Sequence, residues 1–277
     1  MTRRTSRLAE ALRHLLLIAG ALFILAPFLW ALSISLRPPE EIFTAQLRLL
    51  PDHLAFVRNY RLALTQMPLL RFLLNGVVVC SGILICQLLI MVPCAYALAK
   101  LKFAGRSLLL GLVLIALVIP TTALTLPLFI LASKAQLIDS YAGLIVPWTI
   151  SAFGIFLMRQ VFSRVSDDVI EAARLDGLDE FEILLTIMLP LVWPAIGAFS
   201  IYSFAHHWND LLWPSVVTRS VGMATPPYGV MLFQSDEAGS DYGALMAGAL
   251  LIMTPMIVIF MLAREKFIAG LSLASPP

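Results

Sequence analysis

A charged segment, EAARLDGLDEFE at residues 171–182, separates two long apolar runs of the chain. Its spacing predicts two short helices joined at Gly177, because glycine adopts the left-handed backbone that commonly ends a helix. Ser166 is a suitable N-cap for the first helix, whose first turn carries two acids that favour the helix dipole. Asp179 is a suitable N-cap for the second helix, and the glutamate three residues later completes a capping box. We therefore predict a helix–turn–helix unit at residues 166–189, hereafter the helix pair.

The composition places the chain in a lipid bilayer. Of its 277 residues, 60% are hydrophobic and only 13% are charged, which is more apolar surface than a soluble domain of this size can bury. No stretch between the apolar runs is long enough for a soluble domain of ordinary size, so one transmembrane domain is predicted. The formal net charge is +2 and no basic tract is present, which argues against nucleic acid as a partner. The expected fold class is all-α, as a polytopic membrane protein.

Six stretches are long and apolar enough to cross a bilayer, which takes roughly 20 residues per helix. They lie at about residues 15–36, 70–99, 108–131, 141–161, 191–213 and 244–263. The first stretch follows several arginines, as in a secretory signal, but Pro27, Phe28 and Trp30 continue it where a small-residue cleavage site would stand. We therefore expect the first stretch to be retained as a span. No tandem repeat relates the six spans.

Lysine and arginine are distributed unequally between the two sides of the predicted bilayer. If the N-terminus is inside, twelve of the 19 basic residues fall on the inner side and seven on the outer side. Positively charged residues favour the cytoplasmic side of a membrane protein. Both termini and the helix pair are therefore expected in the cytoplasm.

The chain carries no motif of an enzyme. It lacks the phosphate-binding loop GxxxxGK[ST] and the HExxH and GxSxG motifs, and Cys80, Cys86 and Cys94 have no metal-ligand spacing. His206 and His207 are adjacent, so on a helix they diverge by about 100° and cannot both face one metal ion. We expect no enzymatic activity and no cofactor in this chain, so any ATP would be hydrolysed by another subunit.

Polar side chains inside membrane spans are costly and often functional. Six of them are predicted to line a translocation path: Asn75, Ser81, Ser151, Ser203, Asn209 and Asp210. Gln87, Thr149, Ser200 and Tyr202 share the same property. For the serines and the threonine, the alternative is a hydrogen bond back to their own helix.

The sequence WNDLLWP, residues 208–214, allows two interpretations. The two tryptophans could form an interfacial aromatic belt, with the proline ending the fifth span. Alternatively, the asparagine and the aspartate between them form a polar gate or line the path near its outer mouth.

Several segments resemble a known transporter family. The run Glu-Ala-Ala, followed after three residues by glycine and later by IMLP at 187–190, looks like the EAA signature of ABC importer permeases. WNDLLWP resembles a motif of carbohydrate-type importer permeases, and Asn59-Tyr60, LIVP at 144–147 and FIAGL at 267–271 extend the likeness over nearly the whole chain. The chain is thus similar to the smaller membrane subunit of a maltose-type or glycerol-phosphate-type importer, which has the type I ABC importer permease fold with six transmembrane helices.

This resemblance implies a complex of several subunits in the bacterial inner membrane. The chain would form a heterodimer with a second permease, two ATPase subunits would bind ATP and Mg²⁺, and an external solute-binding protein would deliver a sugar or sugar-like solute. Segments 37–69 and 214–243 would contact that binding protein. Residues 272–277 differ from the usual ending of the family, in which the tail of maltose-type relatives reaches between the ATPase subunits. The docking surface for the ATPase would comprise Glu171, Ala172, Ala173, Asp176 and Gly177.

Two other functions are compatible with such a chain. A secondary transporter driven by an ion gradient would carry a charged or strongly polar pair at mid-membrane and inverted repeats. Residues 70–131 hold no acidic residue, and no mirrored halves are present. A membrane assembly protein that transports nothing is the other possibility. On spacing alone, the helix pair also fits an amphipathic segment that lies on the membrane surface.

Overall fold

The computed structural model describes residues 7–43, 50–235 and 241–274, which form helices and connecting turns without a strand. The all-α prediction is confirmed. The α-helices within the described ranges are α1 (Arg7–Ser35), α2 (Pro39–Ile42), α3 (Phe56–Gln66), α4 (Leu69–Lys100), α5 (Arg106–Val118), α6 (Thr125–Lys134), α7 (Tyr141–Ile145), α8 (Ala152–Phe162), α9 (Asp167–Leu175), α10 (Glu180–Glu182), α11 (Leu189–Trp208), α12 (Leu212–Val217), α13 (Pro226–Ser235) and α14 (Tyr242–Ala274). Short 3₁₀ turns lie at Thr121–Leu124, Val146–Trp148 and Val221–Met223, and a π-helical segment lies at Ile183–Met188.

Four helical runs in the described part of the chain are long and apolar enough to cross a membrane. They are Glu10–Ser35, Leu69–Lys100, Glu180–Trp208 and Tyr242–Met261. The third and fourth predicted spans are instead broken helix pairs: Arg106–Val118 with Thr121–Lys134, bent by 97°, and Tyr141–Trp148 with Ala152–Phe162, bent by 44°. The number of spans is therefore four, or up to six if each bent pair crosses the membrane once.

The sharper of these bends lies at Pro120. Helix α5 ends at Val118, and Ile119 is extended with ψ of 121°. The residue before a proline is sterically disfavoured in a helix, so the chain leaves the helix there and resumes as a 3₁₀ turn from Thr121. The sequence predicts one continuous span over 108–131, because hydropathy alone does not register this local break.

The described residues divide into two compact units, one comprising the chain up to Leu69 with Val230–Met253 and the other Leu70–Gly229 with the residues from Thr254 onward. In the first unit the buried Asn59 of α3 donates hydrogen bonds from Nδ2 to the carbonyl oxygens of Ser35 at 3.0 Å and Arg37 at 2.7 Å. These two bonds hold α3 against the end of α1. The prediction of a single domain stays a prediction.

The second unit contains two apolar cores. In the first core, side chains from α4, α8, α9, α11 and the π-helical segment pack together; among them are Met91, Phe162, Ile170, Ile183 and Phe199. In the second core, α4, α6, α7 and α12 meet around Val79, Ile83, Ala132, Leu144 and Trp213. The first core lies beneath the helix pair, and residues of the second core adjoin the polar cavity described below.

Candidate functional site

The first helix of the helix pair begins and ends where the sequence predicts. Ser166 Oγ accepts a hydrogen bond from the backbone N–H of Asp168 at 3.2 Å, so the predicted N-cap is confirmed. Gly177 has φ of +88°, the left-handed conformation expected of a helix stop. The backbone N–H of Leu178 then donates to the carbonyl oxygen of Ala173 at 3.1 Å. The turn is therefore set by local hydrogen bonds and by the freedom of a glycine.

The second helix also starts as predicted, with a capping box. Asp179 Oδ1 accepts hydrogen bonds from the backbone N–H groups of Phe181 and Glu182, both at 2.8 Å, and Glu182 Oε2 accepts from the backbone N–H of Asp179 at 2.9 Å. The chain does not restart at Pro190. It stays helical from α10 through Ile183–Met188 into α11, because a wide π-helical turn gives room to a proline that lacks an N–H.

The helix pair has a buried underside and an exposed tip. Ile170 and Ala173 pack into the first core, and Ala173 is only 4% exposed. The other predicted docking residues, Glu171, Ala172, Asp176 and Gly177, are exposed. Ala173 therefore packs against its own protein, where only a small side chain fits, and its contact with an ATPase stays a prediction. Leu175 is 89% exposed, more than any other large apolar side chain in the described ranges.

Polar contacts fasten the helix pair to the end of α4. Lys100 Nζ donates to Asp167 Oδ1 at 2.5 Å and to the carbonyl oxygen of Val165 at 2.6 Å. Tyr96 Oη donates to Glu180 Oε2 at 2.6 Å, while Arg174 Nε donates to Glu180 Oε1 at 2.7 Å. Both helices of the pair are thereby tied to the same end of α4. A force on the tip is transmitted to α4 as well as to α11.

The Lys100 contact yields a first prediction. Lys100→Met removes the hydrogen bonds of a side chain that is only 5% exposed, and leaves the carbonyl of Val165 without that donor. We expect faster amide hydrogen exchange in α9, measured by mass spectrometry, with little change in the rest of α4. Lys102→Met is the control, since Lys102 is exposed. Equal rates of amide exchange in the two variants would contradict the role of Lys100 in holding α9 against α4.

The same contact has a defined dependence on pH. The hydrogen bond from Lys100, followed by its positive charge, lowers the pKa of Asp167 below its ordinary value of 3.8. A carboxyl group whose pKa is lower in the folded state stabilises that state above its unfolded pKa and loses this contribution as pH falls through the folded pKa. The ion pair between Lys100 and Asp167 is therefore fully formed at neutral pH and is lost only below pH 3.8, while the hydrogen bond from Lys100 to the carbonyl oxygen of Val165 does not depend on this titration.

Two of the residues predicted to line the path are buried and form hydrogen bonds between elements of the second unit. Asn75 Nδ2 donates to the carbonyl oxygens of Gly222 and Ala224, both at 2.9 Å, and its Oδ1 accepts from Tyr141 Oη at 2.6 Å. Ser203 Oγ donates to Gln87 Oε1 on α4 at 2.6 Å, rather than to its own helix. Both side chains are almost fully buried, so within this chain they fix loops and helices instead of facing a path.

The remaining serines have mixed roles. Ser151 is the N-cap of α8 and accepts a hydrogen bond from the backbone N–H of Gly154 at 3.0 Å. Ser200 Oγ donates to the carbonyl oxygen of Ile196 on its own helix at 2.8 Å. Ser81 is half-buried on α4 and does not line the cavity described next.

A cavity of about 580 Å³ at the C-terminal end of α11 brings together the other two predicted path residues, Asn209 and Asp210. Tyr202, His206 and Trp148 also line this cavity. Three threonines face it from the break between α5 and α6, namely Thr121, Thr122 and Thr125. Sequence reasoning missed them, although three threonines in five residues of an apolar run, flanked by Pro120 and Pro127, are a signal that could have found them.

The aromatic residues of WNDLLWP do not form an exposed belt. Trp208 and Trp213 are only 2% and 3% exposed, and Trp213 Nε1 donates to the carbonyl oxygen of Gly143 at 3.0 Å. Helix α11 ends at Trp208, before the proline, and Pro214 lies buried inside α12. The belt interpretation with a helix-ending proline is therefore wrong. The tryptophans are packing groups that position Asn209 and Asp210 between them at the cavity.

The two histidines of α11 both line this cavity, and their rings meet edge-on with centroids 5.0 Å apart and ring planes at 77° to each other. His206 is exposed, while His207 Nε2 lies 3.3 Å from Gln87 Nε2. Among the residues that the structure describes, no three His, Cys, Asp or Glu side chains are grouped in a way that would hold a metal ion.

Long apolar helices, a helix pair braced against them and a cavity lined by aromatic and polar side chains are typical of a membrane transport subunit. The family model described as "Binding-protein-dependent transport system inner membrane component" matches residues 91–272, and the chain belongs to this family. It is the membrane-embedded permease of an ATP-driven importer and not an enzyme, since ATP hydrolysis resides in a separate subunit.

The similar proteins are permeases, and each aligns with this chain over most of its length. The arabinooligosaccharides transport system permease protein AraQ of Halalkalibacterium halodurans is 33% identical over 274 residues, which cover 98% of each chain. The diacetylchitobiose uptake system permease protein NgcG of Streptomyces coelicolor is 30% identical, covering 97% of this chain and 89% of NgcG. UgpE of Yersinia pestis, an sn-glycerol-3-phosphate transport system permease protein, is 28% identical, covering 93% and 94%.

A solved structure shows the same fold. One chain of a bacterial ABC transporter involved in the import of the acidic polysaccharide alginate superposes with a TM-score of 0.80, covering 96% of this chain and 99% of that one at 23% identity. The predicted fold of an ABC importer permease is confirmed.

Proposed function

We propose that this permease imports a sugar or sugar-like solute and forms the translocation path together with a second permease. Of the two ATPase subunits in the complex, one binds the helix pair of this chain from the cytoplasm, and an external binding protein delivers the solute. The names of the similar permeases, which refer to arabino-oligosaccharides, diacetylchitobiose and glycerol phosphate, support a solute of this class. The observation that carries the proposal is the helix pair, whose tip is exposed while its base is fastened to α4 and continues into α11.

The helix pair is built to transmit movement. Its second helix is the start of one helical run, Glu180–Trp208, with 29 residues. At 1.5 Å per residue this run is ~40 Å long, about the thickness of a bilayer with its head groups. When the two ATPases close on ATP, the tip of the helix pair, held in a cleft of one of them, moves with that subunit, and α4 and α11 follow as one packed body. Glu171, exposed on the tip, offers a carboxylate for charge-assisted hydrogen bonds with the ATPase.

We assign the surface for the binding protein to segments 37–69 and 214–243. Residues 44–49 and 236–240 of these segments lie outside the described part of the chain. In the second segment, the backbone N–H groups of Arg219 and Ser220 donate hydrogen bonds to Oδ1 of Asp139, which lies outside the segment, both at 3.0 Å. This contact pins an exposed turn and makes it a firm docking surface.

The orientation follows from the same assembly. A tip that meets ATPases lies in the cytoplasm, and an even number of spans then places both termini there as well. The altered ending at residues 272–277 falls partly outside the described residues, which stop at 274. Our proposal therefore relies on the helix pair alone for contact with the ATPases.

Site-directed cross-linking tests the assembly. The tagged chain carrying Glu171→Cys is purified from its native membrane in mild detergent, treated with a short bifunctional thiol–amine reagent, and its cross-linked partners are identified by mass spectrometry. We expect an ATPase subunit, with a second permease in the same complex. Asn209→Cys, at the far end of the helical run, is the control and should yield no ATPase. A cross-link from Glu171→Cys to no nucleotide-hydrolysing protein, or uptake by the isolated chain in liposomes with only an ion gradient, would refute the proposal.

A further inference from the structure

We infer that the cavity at the C-terminal end of α11 is a solute subsite of this subunit, shaped for a neutral polyhydroxylated solute and unfavourable to an anionic one. This inference rests on the proposed function, since it requires the chain to transport a solute. This subunit then contacts the solute itself, and the solute carries no phosphate or carboxylate group where it meets the cavity.

The cavity has the size and the aromatic walls of a carbohydrate site. Its volume of about 580 Å³ lies within the range of roughly 300–1,000 Å³ typical of small-molecule pockets. Tyr202 is 48% exposed, and its ring is held by Phe153 at 5.0 Å between ring centroids and by the stacked ring of His206 at 5.9 Å. The Trp148 ring is braced edge-on by the buried Trp213 at 6.0 Å. Such fixed, partly wetted rings offer faces on which the C–H side of a sugar ring packs.

The polar lining matches hydroxyl groups. Thr121 and Thr122 are exposed and Thr125 is half-buried, so the 3₁₀ turn and the start of α6 present three hydroxyls that both donate and accept hydrogen bonds. Asn209, which is exposed, and Asp210, which is half-buried, line the same cavity. A carboxylate accepts strong hydrogen bonds from solute hydroxyls. Aromatic faces combined with such groups suit a ring that is apolar on its faces and polar at its edge.

The charge of the cavity selects against anions. Among the described residues that line it, none is lysine or arginine, Asp210 is an acid, and the side chains able to take up a positive charge are those of His206 and His207. Proteins that bind phosphate or carboxylate groups rely on arginine forks, lysine charges or helix N-termini. An anionic solute would here meet the Asp210 carboxylate with no arginine or lysine to compensate it, and like charges at close range disfavour binding. The wall formed by this subunit therefore favours a neutral sugar over a phosphorylated or acidic one.

The location of the cavity connects it to the ATP-driven step. Asn209 and Asp210 directly follow the helical run Glu180–Trp208, whose other end is the helix pair. The threonines line the same cavity from the segment after the 97° bend. A rigid displacement of the run relative to that bent segment changes the distance between the threonines and Asp210. Solute binding and release are then coupled to the motion of the helix pair.

The test uses the complete importer, reconstituted in liposomes with its binding protein. The solute is first identified by calorimetric titration of the binding protein with neutral oligosaccharides, with oligouronates and with glycerol 3-phosphate. Initial uptake rates are then compared for the wild type, Tyr202→Ala and Asp210→Asn. The control is Trp193→Ala, which removes another aromatic residue of α11 that is 60% exposed but does not line the cavity.

We expect a neutral solute, and uptake about tenfold slower in Tyr202→Ala and in Asp210→Asn. ATP hydrolysis stimulated by the binding protein should stay within about twofold of wild type, and Trp193→Ala should transport normally. Tyr202→Phe, which keeps the ring, should restore most of the uptake. An anionic solute, normal uptake in both cavity variants, or loss of the second permease from the Tyr202→Ala complex would each overturn the inference. A wild-type complex that takes up none of the probes with ATP would refute the proposed function as well.

Discussion

Leu175→Lys is expected to reduce ATP-driven uptake at least tenfold while leaving the permease folded and assembled. The side chain of Leu175 is 89% exposed at the tip of the helix pair, so within this chain a lysine there costs no packing. Lysine also forms helices well and suits the C-terminal turn of α9 electrostatically. If the tip is buried in a cleft of the ATPase, however, an ammonium group must lose its water there without a partner, which costs several kcal/mol. Each 1.4 kcal/mol corresponds to a factor of ten.

The measurements for Leu175→Lys are uptake and ATP hydrolysis in proteoliposomes, with and without binding protein. We expect the variant to lose stimulation of ATP hydrolysis by the binding protein, because the signal no longer passes through the tip. Leu175→Met is the matched control, since it keeps both volume and polarity. Uptake by Leu175→Lys at the wild-type rate would show that the ATPase does not enclose the tip of the helix pair.

The sequence predicted the start and stop of the helix pair well but its faces poorly. Ser166, Gly177 and the capping box at Asp179 were predictable because each depends on hydrogen bonds or backbone angles within a few residues. The spacing showed an apolar side on α9 but not which of its members is covered. Packing of α9 on the π-helical segment and α4 buries Ala173 and leaves Leu175 in the open. That distinction depends on residues far away in sequence.

The residues predicted to line the translocation path show even more clearly that sequence alone does not reveal which side chains are covered. Polarity in an apolar span marks Asn75, Ser203 and Asp210 alike as unusual. The structure separates them, because Asn75 and Ser203 find partners on other elements, whereas Asp210 lines the cavity. The cavity itself depends on the 97° bend near Pro120. A proline predicts a local break, but the direction in which the following segment folds back is set by tertiary packing.

Gly154→Ala is expected to have the second of the two largest effects, this time on stability. Gly154 lies near the start of α8, in contact with α4 and α11. A methyl group added there would lie 2.5 Å from Met91 Sδ and 2.7 Å from Phe199 Cε2, both closer than atoms tolerate. Met91 and Phe199 are 0% and 1% exposed, so neither side chain has free space to enter. Overpacking of this kind costs about 1–3 kcal/mol, occasionally more.

Gly197 of α11 provides the matched comparison for Gly154. A methyl group at Gly197 meets nothing within 4 Å, so Gly197→Ala gains the usual advantage of alanine over glycine in a helix, roughly 0.5–1 kcal/mol. The melting temperature of the purified complex should therefore fall for Gly154→Ala and stay level or rise for Gly197→Ala. Adding Met91→Ala to Gly154→Ala should cost less than the sum of the two single changes, because the second change removes the atom that the first one strikes. Strict additivity, or equal melting temperatures for the two alanine variants, would mean that α4, α8 and α11 are not packed as closely as the structure shows. Either result would also argue against the proposal that α4, α8 and α11 move as one rigid body and thereby connect the helix pair to the cavity.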